Sequence, residues 1–381
     1  MLVSRSDRGI IARWWFTVDR LLLSAVLLLM ATGVLISMAA SPSVAERIGL
    51  DSFHFFKSQL LFLFPAVFVL IFVSFLEPKQ TRRAAFLMFG LSLVLMVCAL
   101  FWGPEIKGAH RWINFGPIGV QPSELAKPSF VVMAAWFLSE HTKRPDMPGN
   151  IVAYLLFVVF VGLLVLQPDF GQTALTVLTF AAMLLIYGIP WVLVLGLAGL
   201  CVAGVMTAYT MVPHVTSRID RFLNPEKGDT FQVDTATTAF QNGGWLGVGP
   251  GGGEAKQILP DAHTDFTFAV VGEEFGFIAC IVLMLLFAFV VMRILQRAKI
   301  EPDPFPALAL SGLGIIFGLQ AIINMGVNVS LLPAKGMTLP FISYGGSSLL
   351  GLAFAMGMVL AFSRRQPNVS LSSTTWQPVT P

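Results

Sequence analysis

Charge is scarce in this chain. Lys, Arg, Asp and Glu make up 12% of its residues and hydrophobic residues 56%, where a water-soluble domain carries about 25% charged residues. That balance excludes an ordinary soluble globular domain and makes lipid the principal solvent. Cysteine is nearly absent. Cys98, Cys201 and Cys280 all lie within apolar runs, without the spacing of a metal site or a disulfide framework, and read as small core hydrophobes. No cleavable signal peptide is expected, because the first apolar run is too long and lacks a small-residue cleavage site after it. A net charge of +3 gives no footing for a nucleic-acid partner.

What the chain has instead is length in its apolar runs. A spanning helix needs roughly 20 apolar residues. Ten candidates occur, at about 18–40, 58–76, 84–103, 122–139, 151–166, 171–189, 191–212, 266–292, 306–331 and 339–363. The weakest division, at Gly188, Ile189 and Pro190, is a tight turn between two helices. The fold class expected is an all-α integral membrane protein: a tail at 1–17, one ten-helix domain at 18–363 and a flexible tail at 364–381.

Basic residues orient the bundle. Arg5, Arg8, Arg13, Lys79, Arg82, Arg83, Lys143, Arg144, Arg293, Arg297, Lys299, Arg364 and Arg365 all fall on one side, which places both termini in the cytoplasm. The opposite side still holds Lys107, Arg111, Arg218, Arg221, Lys227, Lys256 and Lys335. Departures from a local rule tend to mark function. The outer loops carrying these residues, 104–121 and 213–265, are rich in Gly, Pro, Trp and charge. The second, between the seventh and eighth spans, is too long for an idle connector. Residues 230–242 within it read as a short helix closed by Gly243 and Gly244. The following GGWLGVGPGGG at 243–253 matches neither a Walker loop nor a dinucleotide fingerprint. Both a phosphate-binding nest and a close-packed or hinge-like turn fit it.

Polar groups inside lipid need a reason. In QPSELAK at 121–127, Pro122 suits a first helical position and Glu124 the positive helix end. Lys127 is one turn on, so the two form either a structural pair or a polar cavity wall. Gln320, Asn324 and Asn328 form one stripe of amides, for helix–helix bonding or for a hydrated groove. The densest polar stretch is LPDAHTDFTFAVVGEEFG at 259–276. Asp265 marks the membrane entry point there. His263 reads as either packing or catalytic. Glu273 and Glu274 lie about 12–14 Å further along a continuous helix rising ~1.5 Å per residue, which favours a structural or partner-coupling role.

Six strings together carry a family resemblance. They are KGAHRWINFG at 107–116, QPSELAK, QPDFGQ at 167–172, GGWLGVGPG at 243–251, LPDAHTDFTFAVVGEE at 259–274, and LPAKGMTLPFISYGGSS at 332–348. The chain resembles the SEDS family (shape, elongation, division and sporulation), the family of FtsW and RodA, over nearly its whole length. The GVGPG, PDAHTDF and PAKGMTLP forms are most like the division branch. Ala334 stands where Thr is more usual and Thr267 where Ile is common, and neither change touches an ionisable group.

The resemblance implies a peptidoglycan glycosyltransferase that polymerises lipid II at the outer face of the bacterial cytoplasmic membrane, at the division septum. It also implies partners: a class B penicillin-binding protein of the FtsI transpeptidase type, and other division proteins. By motif, Asp265 is the essential acid and the expected general base. Arg111, Trp112, Glu124, Lys127, Lys335 and Ser343 belong to the same cavity, with Lys107, His263, Glu273, Glu274 and Asn324 as secondary candidates. A divalent cation, Mg or Mn, is implied by the family alone, since no ligand set is visible in the sequence. Three alternatives remain: a lipid II flippase working through Glu273, Glu274 and the amide stripe, an elongation-type polymerase, and an inactive scaffold.

Overall fold

A computed structural model describes residues 9–106, 108–116, 118–189, 231–259, 261–333 and 336–364, with scattered positions between 192 and 216. The chain opens on α1 (Ile10–Thr17) and α2 (Arg20–Arg47), then α3 (His54–Ser74) and α4 (Pro78–Trp102). A small antiparallel hairpin, β1 (Ile113–Phe115) and β2 (Ile118–Val120), leads into α5 (Pro122–Lys143), α6 (Gly149–Leu166) and α7 (Phe170–Tyr187). Beyond the little-described stretch come α8 (Phe231–Gly243), α9 (Ala255–Ile258), α10 (Thr267–Ile300), α11 (Pro304–Asn328) and α12 (Gly346–Phe362).

Seven of the described helices are long and apolar enough to cross a membrane: α2, α3, α4, α6, α7, α10 and α11. With α5 and the shorter α12 running among them, nine of the ten expected spans have helical counterparts. The seventh, 191–212, falls mostly outside the described residues, as do 217–230 of the long loop and the tail from 365. The helices form by apolar length and ordinary end signals. Glu77 and Gln80 make a reciprocal capping box at α4, and the Asp303 carboxylate accepts the Phe305 N–H at the start of α11. Gly188, at φ 91°, closes α7.

Burial sorts the helices into rim and centre. The apolar window of α6 is 22% buried and that of α11 78% buried. On α3, Phe64, Phe68 and Phe72 point outward, each more than half exposed, a display that only lipid tolerates. The buried helices α5 and α11 carry Glu124, Lys127 and the amide stripe, and Gln59 of α3, Gln172 of α7 and Glu273 and Glu274 of α10 are buried as well. Polar side chains are thereby turned away from lipid, as burial costs require.

Two expectations need correction here. The segment before the first span is not merely a tail, since it folds into α1, whose Trp14 indole donates to the Ser74 hydroxyl at 2.9 Å. Next to it Asp19 is buried and accepts from Arg293 and Arg297 of α10 at 2.9 and 2.6 Å. The first span, Arg20–Pro42, agrees with the expected 18–40, and its helix continues past the apolar stretch to Arg47. The eighth is not one continuous helix: Gly276 breaks it with φ 78° and ψ −179°, leaving a half-helix at 267–275 and a long rod beyond.

Candidate functional site

Asp265 sits just ahead of the half-helix, at the end of a tight turn that starts at Asp261, and is half-buried. The Asp265 carbonyl accepts amide N–H groups from Asn324 and Asn328, each at 2.9 Å. Asn324 also donates to the Met337 carbonyl at 2.6 Å, and Gln320 to the Thr338 carbonyl at 3.1 Å. The Asn328 side-chain amide oxygen accepts the Ala269 N–H at 3.0 Å, a donor in the half-helix's first turn that it shares with the Phe266 carbonyl. The amide stripe is thus more than a plain helix–helix seam. It ties the 261–266 and 336–339 segments to α11. A Cβ placed on Gly336 would lie 3.5 Å from Asp265 Oδ2, so the second segment passes directly beside the carboxylate.

The other end of the half-helix is locked from the glycine-rich loop. The Val248 and Gly249 N–H groups donate to the Glu273 and Glu274 carbonyls at 3.0 Å, and Phe277 N–H to the Gly244 carbonyl at 2.9 Å. Only glycine fits this approach. A Cβ on Gly243 would stand 2.0 Å from the Gly272 oxygen, and one on Gly247 2.1 Å from the Glu274 oxygen. Of the two readings of GGWLGVGPGGG, the close-packed turn is the one observed. Glu273 accepts the Ala255 and Lys256 N–H groups at 2.7 and 3.0 Å, capping α9. Glu274 pairs with the buried Lys256 ammonium, which also donates to the Ala39 carbonyl at 3.2 Å. Arg47 donates to the Ile258 and Leu259 carbonyls at 3.3 Å. Both glutamates are therefore joints between loop and half-helix, away from Asp265.

A second polar cluster forms where the hairpin meets α5 and α7. Arg111 donates to the Gln167 and Pro168 carbonyls at 2.9 and 2.6 Å and lies 3.7 Å from Asp169 Oδ1. Burial pushes the Asp169 carboxyl above the usual carboxylate range, with Arg111 pulling it back. Gln121 donates to Asp169 at 3.1 Å. Lys127 donates to Glu124 at 3.0 Å and to Gln172 at 2.7 Å, and Gln172 donates to Glu124 at 2.9 Å. The pair is both a structural bond and a wall. Glu124, Lys127 and Gln320 line a narrow space of about 20 Å³, room for one water. Asp169, Gln121 and Gln172 were missed in the sequence reading. Their signal lay in QPDFGQ and QPSELAK, two polar strings at adjoining helix starts.

The remaining candidates divide. The His263 ring lies 4.2 Å from Phe55 and 5.7 Å from Tyr344, a packing position. The Trp112 ring lies over Gly119 of the hairpin, 3.4 Å from where a Cβ would be. Ser343 is buried and its hydroxyl accepts the Leu339 N–H at 2.9 Å, stitching the turn ahead of α12. Lys107 and Lys335 lie outside the described residues. Among the described residues no three His, Cys, Asp or Glu side chains converge as a metal site would require, so the expected divalent cation has no donor set there.

Comparisons with known proteins agree with this architecture. A family model for cell cycle proteins of the FtsW, RodA and SpoVE type matches residues 19–368. A relative from Caulobacter vibrioides, named a probable peptidoglycan glycosyltransferase FtsW, is 42% identical across 96% of this chain and 94% of its own. One of the same name from Methylococcus capsulatus is 37% identical across 93% of each. The crystal structure of the rod shape determining protein RodA of Thermus thermophilus superposes with a TM-score of 0.68 at 27% identity, over 93% of this chain and 99% of that one. A chain from a peptidoglycan synthase complex that coordinates polymerisation and crosslinking superposes at 0.75 and 28% identity, over 92% and 98%.

Proposed function

The chain belongs to the FtsW, RodA and SpoVE family of cell cycle proteins, and we propose that this multi-pass membrane protein is a peptidoglycan glycosyltransferase of the FtsW type, polymerising lipid II at the outer face of the cytoplasmic membrane with Asp265 as its base. A sugar hydroxyl of one lipid-linked molecule attacks the anomeric carbon of another. The new C–O bond forms as the bond to the polyprenyl diphosphate breaks; the diphosphate leaves with the electron pair, and the hydroxyl proton passes to the Asp265 carboxylate. A general base of this kind contributes about 10²–10⁴-fold.

The observation that carries the reading is the clamp on Asp265. Two amides of α11 hold the backbone of a half-exposed carboxylate at the membrane entry point. Catalytic groups gain rate from being held in place before reaction. Arg111, held by the Gln167 and Pro168 carbonyls beside Asp169, is the cation we assign to the leaving group, and we assign Lys335 the same part. No step is routed through a divalent cation. Lipid translocation would rest on Glu273, Glu274 and the amide stripe, and all of these are engaged in holding backbone or a buried ion pair. The partner proposed is a class B penicillin-binding protein at the division septum, bearing on the 213–265 loop, with both termini cytoplasmic.

Purified protein incubated with lipid II, alone and with the transpeptidase, tests the function. Glycan strands that lengthen faster with the partner are expected. Absence of polymer under both conditions would remove the assignment.

A further inference from the structure

Helix α12 begins without a cap. Gly345 stands at the N-cap with no side chain to accept, and the Gly346, Ser347 and Ser348 N–H groups find no acceptor among the described residues. Three free donors and the positive end of a 17-residue helix make an anion site only if something else points there. Here something does. On α3, Phe55 packs on Tyr344 at 5.1 Å between ring centres, Ser58 stands beside the Tyr344 phenol, and the Phe62 ring lies 2.7 Å from a Cβ placed on Gly346. Positions 55, 58 and 62 form one helical face, and Gln59 lies on it. Gln59 is fully buried, and neither atom of its amide has a hydrogen-bond partner. The Ser123 hydroxyl is also buried without a partner, between Gln121, which donates to Ser347 at 3.0 Å, and Glu124, whose carbonyl packs against Gly351. Leaving such groups unpaired is costly.

The place adjoins the reacting carboxylate. The Tyr344 N–H donates to the His263 carbonyl at 2.9 Å, two residues before Asp265. The Ser348 hydroxyl bonds that of Thr338 at 2.9 Å, on the segment that passes Asp265 at Gly336. Tyr344, Gly345 and Gly346 are half-exposed, which leaves the Gly346 N–H reachable, with the buried Ser347 and Ser348 N–H groups behind it.

We propose that the N-terminus of α12, with Gln59 and Ser123 beside it, seats the diphosphate of a polyprenyl-diphosphate-linked molecule. This deepens the glycosyltransferase reading and rests on it. The helix end stabilises the negative charge that grows on the leaving diphosphate, while Gln59 supplies the neutral donor that fixes its orientation.

The test is binding by the full chain in nanodiscs, with a polyprenyl diphosphate, inorganic pyrophosphate and phosphatidylglycerol as separate probes. Two variants are informative. Gln59→Leu removes the unpartnered amide at similar volume. Gly345→Asp supplies a cap carboxylate to the free donors; its Cβ meets Ser348 and Thr338 only at ordinary contacts of 3.5 and 3.6 Å. We expect both to weaken polyprenyl diphosphate binding about tenfold or more, pyrophosphate to follow the same order, and phosphatidylglycerol to be unaffected. Thermal stability should hold or rise in both. Unchanged polyprenyl diphosphate binding in the Gly345→Asp variant would overturn the proposal, as would equal loss for all three probes. Asp265→Asn separates this from the parent reading: it should bind the diphosphate like the wild type while losing polymerisation. Normal polymerisation by that variant would sink the parent reading without touching the binding result.

Discussion

The two amides on the Asp265 carbonyl are redundant with each other, and that redundancy predicts a non-additive pair. Asn324→Leu keeps approximate volume but releases one bond to Asp265 and the bond to Met337. Asn328→Leu releases the other bond to Asp265 and the acceptor for Ala269. Each lost partner at a buried group costs about 1–3 kcal/mol. In either single variant the remaining amide still holds the carbonyl, so the carboxylate shifts little. In the double variant neither amide holds the carbonyl, and a displacement of about 1 Å at a reacting group costs on the order of 10²-fold. We therefore expect kcat to fall about tenfold in each single variant and about 10³-fold or more in the double. The excess over the product corresponds to about 1.4 kcal/mol of coupling or more, within the ~0.5–3 kcal/mol usual for groups sharing a partner. Initial rates of lipid II polymerisation across substrate concentration, with thermal unfolding of each variant alongside, read this out. A strictly multiplicative double variant, or losses that track only the folded fraction, would refute the clamp.

Four further outcomes follow from the same contacts. Gly276→Ala should lower thermal stability sharply, since a Cβ there would meet Gly247 nitrogen at 2.4 Å and φ is 78°; wild-type unfolding would contradict the packed break. Lys256→Met should destabilise by about 3–5 kcal/mol by stranding the Glu274 carboxylate, and adding Glu274→Gln should recover part of it; no recovery would dissociate the two. A cysteine replacing exposed Glu254 should be labelled by an impermeant reagent from outside cells with a permeabilised outer membrane, and protection there would invert the topology. Depletion should block septation while lateral growth continues, giving filaments, whereas rounded cells would point to elongation.

Much of this architecture was open to sequence reasoning because lipid imposes a simple rule. Runs of about 20 apolar residues mark spans, and the α8 helix was visible in its Gly243–Gly244 stop. What the sequence hid was partnership across distance. Nothing near Asp19 announces Arg293 and Arg297, and nothing near Arg111 announces Asp169. The break at Gly276 was hidden for another reason. A lone glycine in an apolar run is compatible with an unbroken helix, and only the approach of Gly247 and Trp245 forbids one. At the site, Asp265 stood out because charge at a membrane entry is rare. Gln59 did not, since an isolated amide in an α3-like run carries no motif.

The most direct measurement is the polymerisation rate of Asp265→Asn, purified with its transpeptidase partner and supplied with lipid II. Asparagine keeps the size of the side chain and leaves the backbone bonds to Asn324 and Asn328 in place, but it cannot accept the proton. The account predicts a fall of about 10²-fold or more with expression, thermal stability and partner binding retained. Glycan synthesis at close to the wild-type rate would take Asp265 out of the reaction.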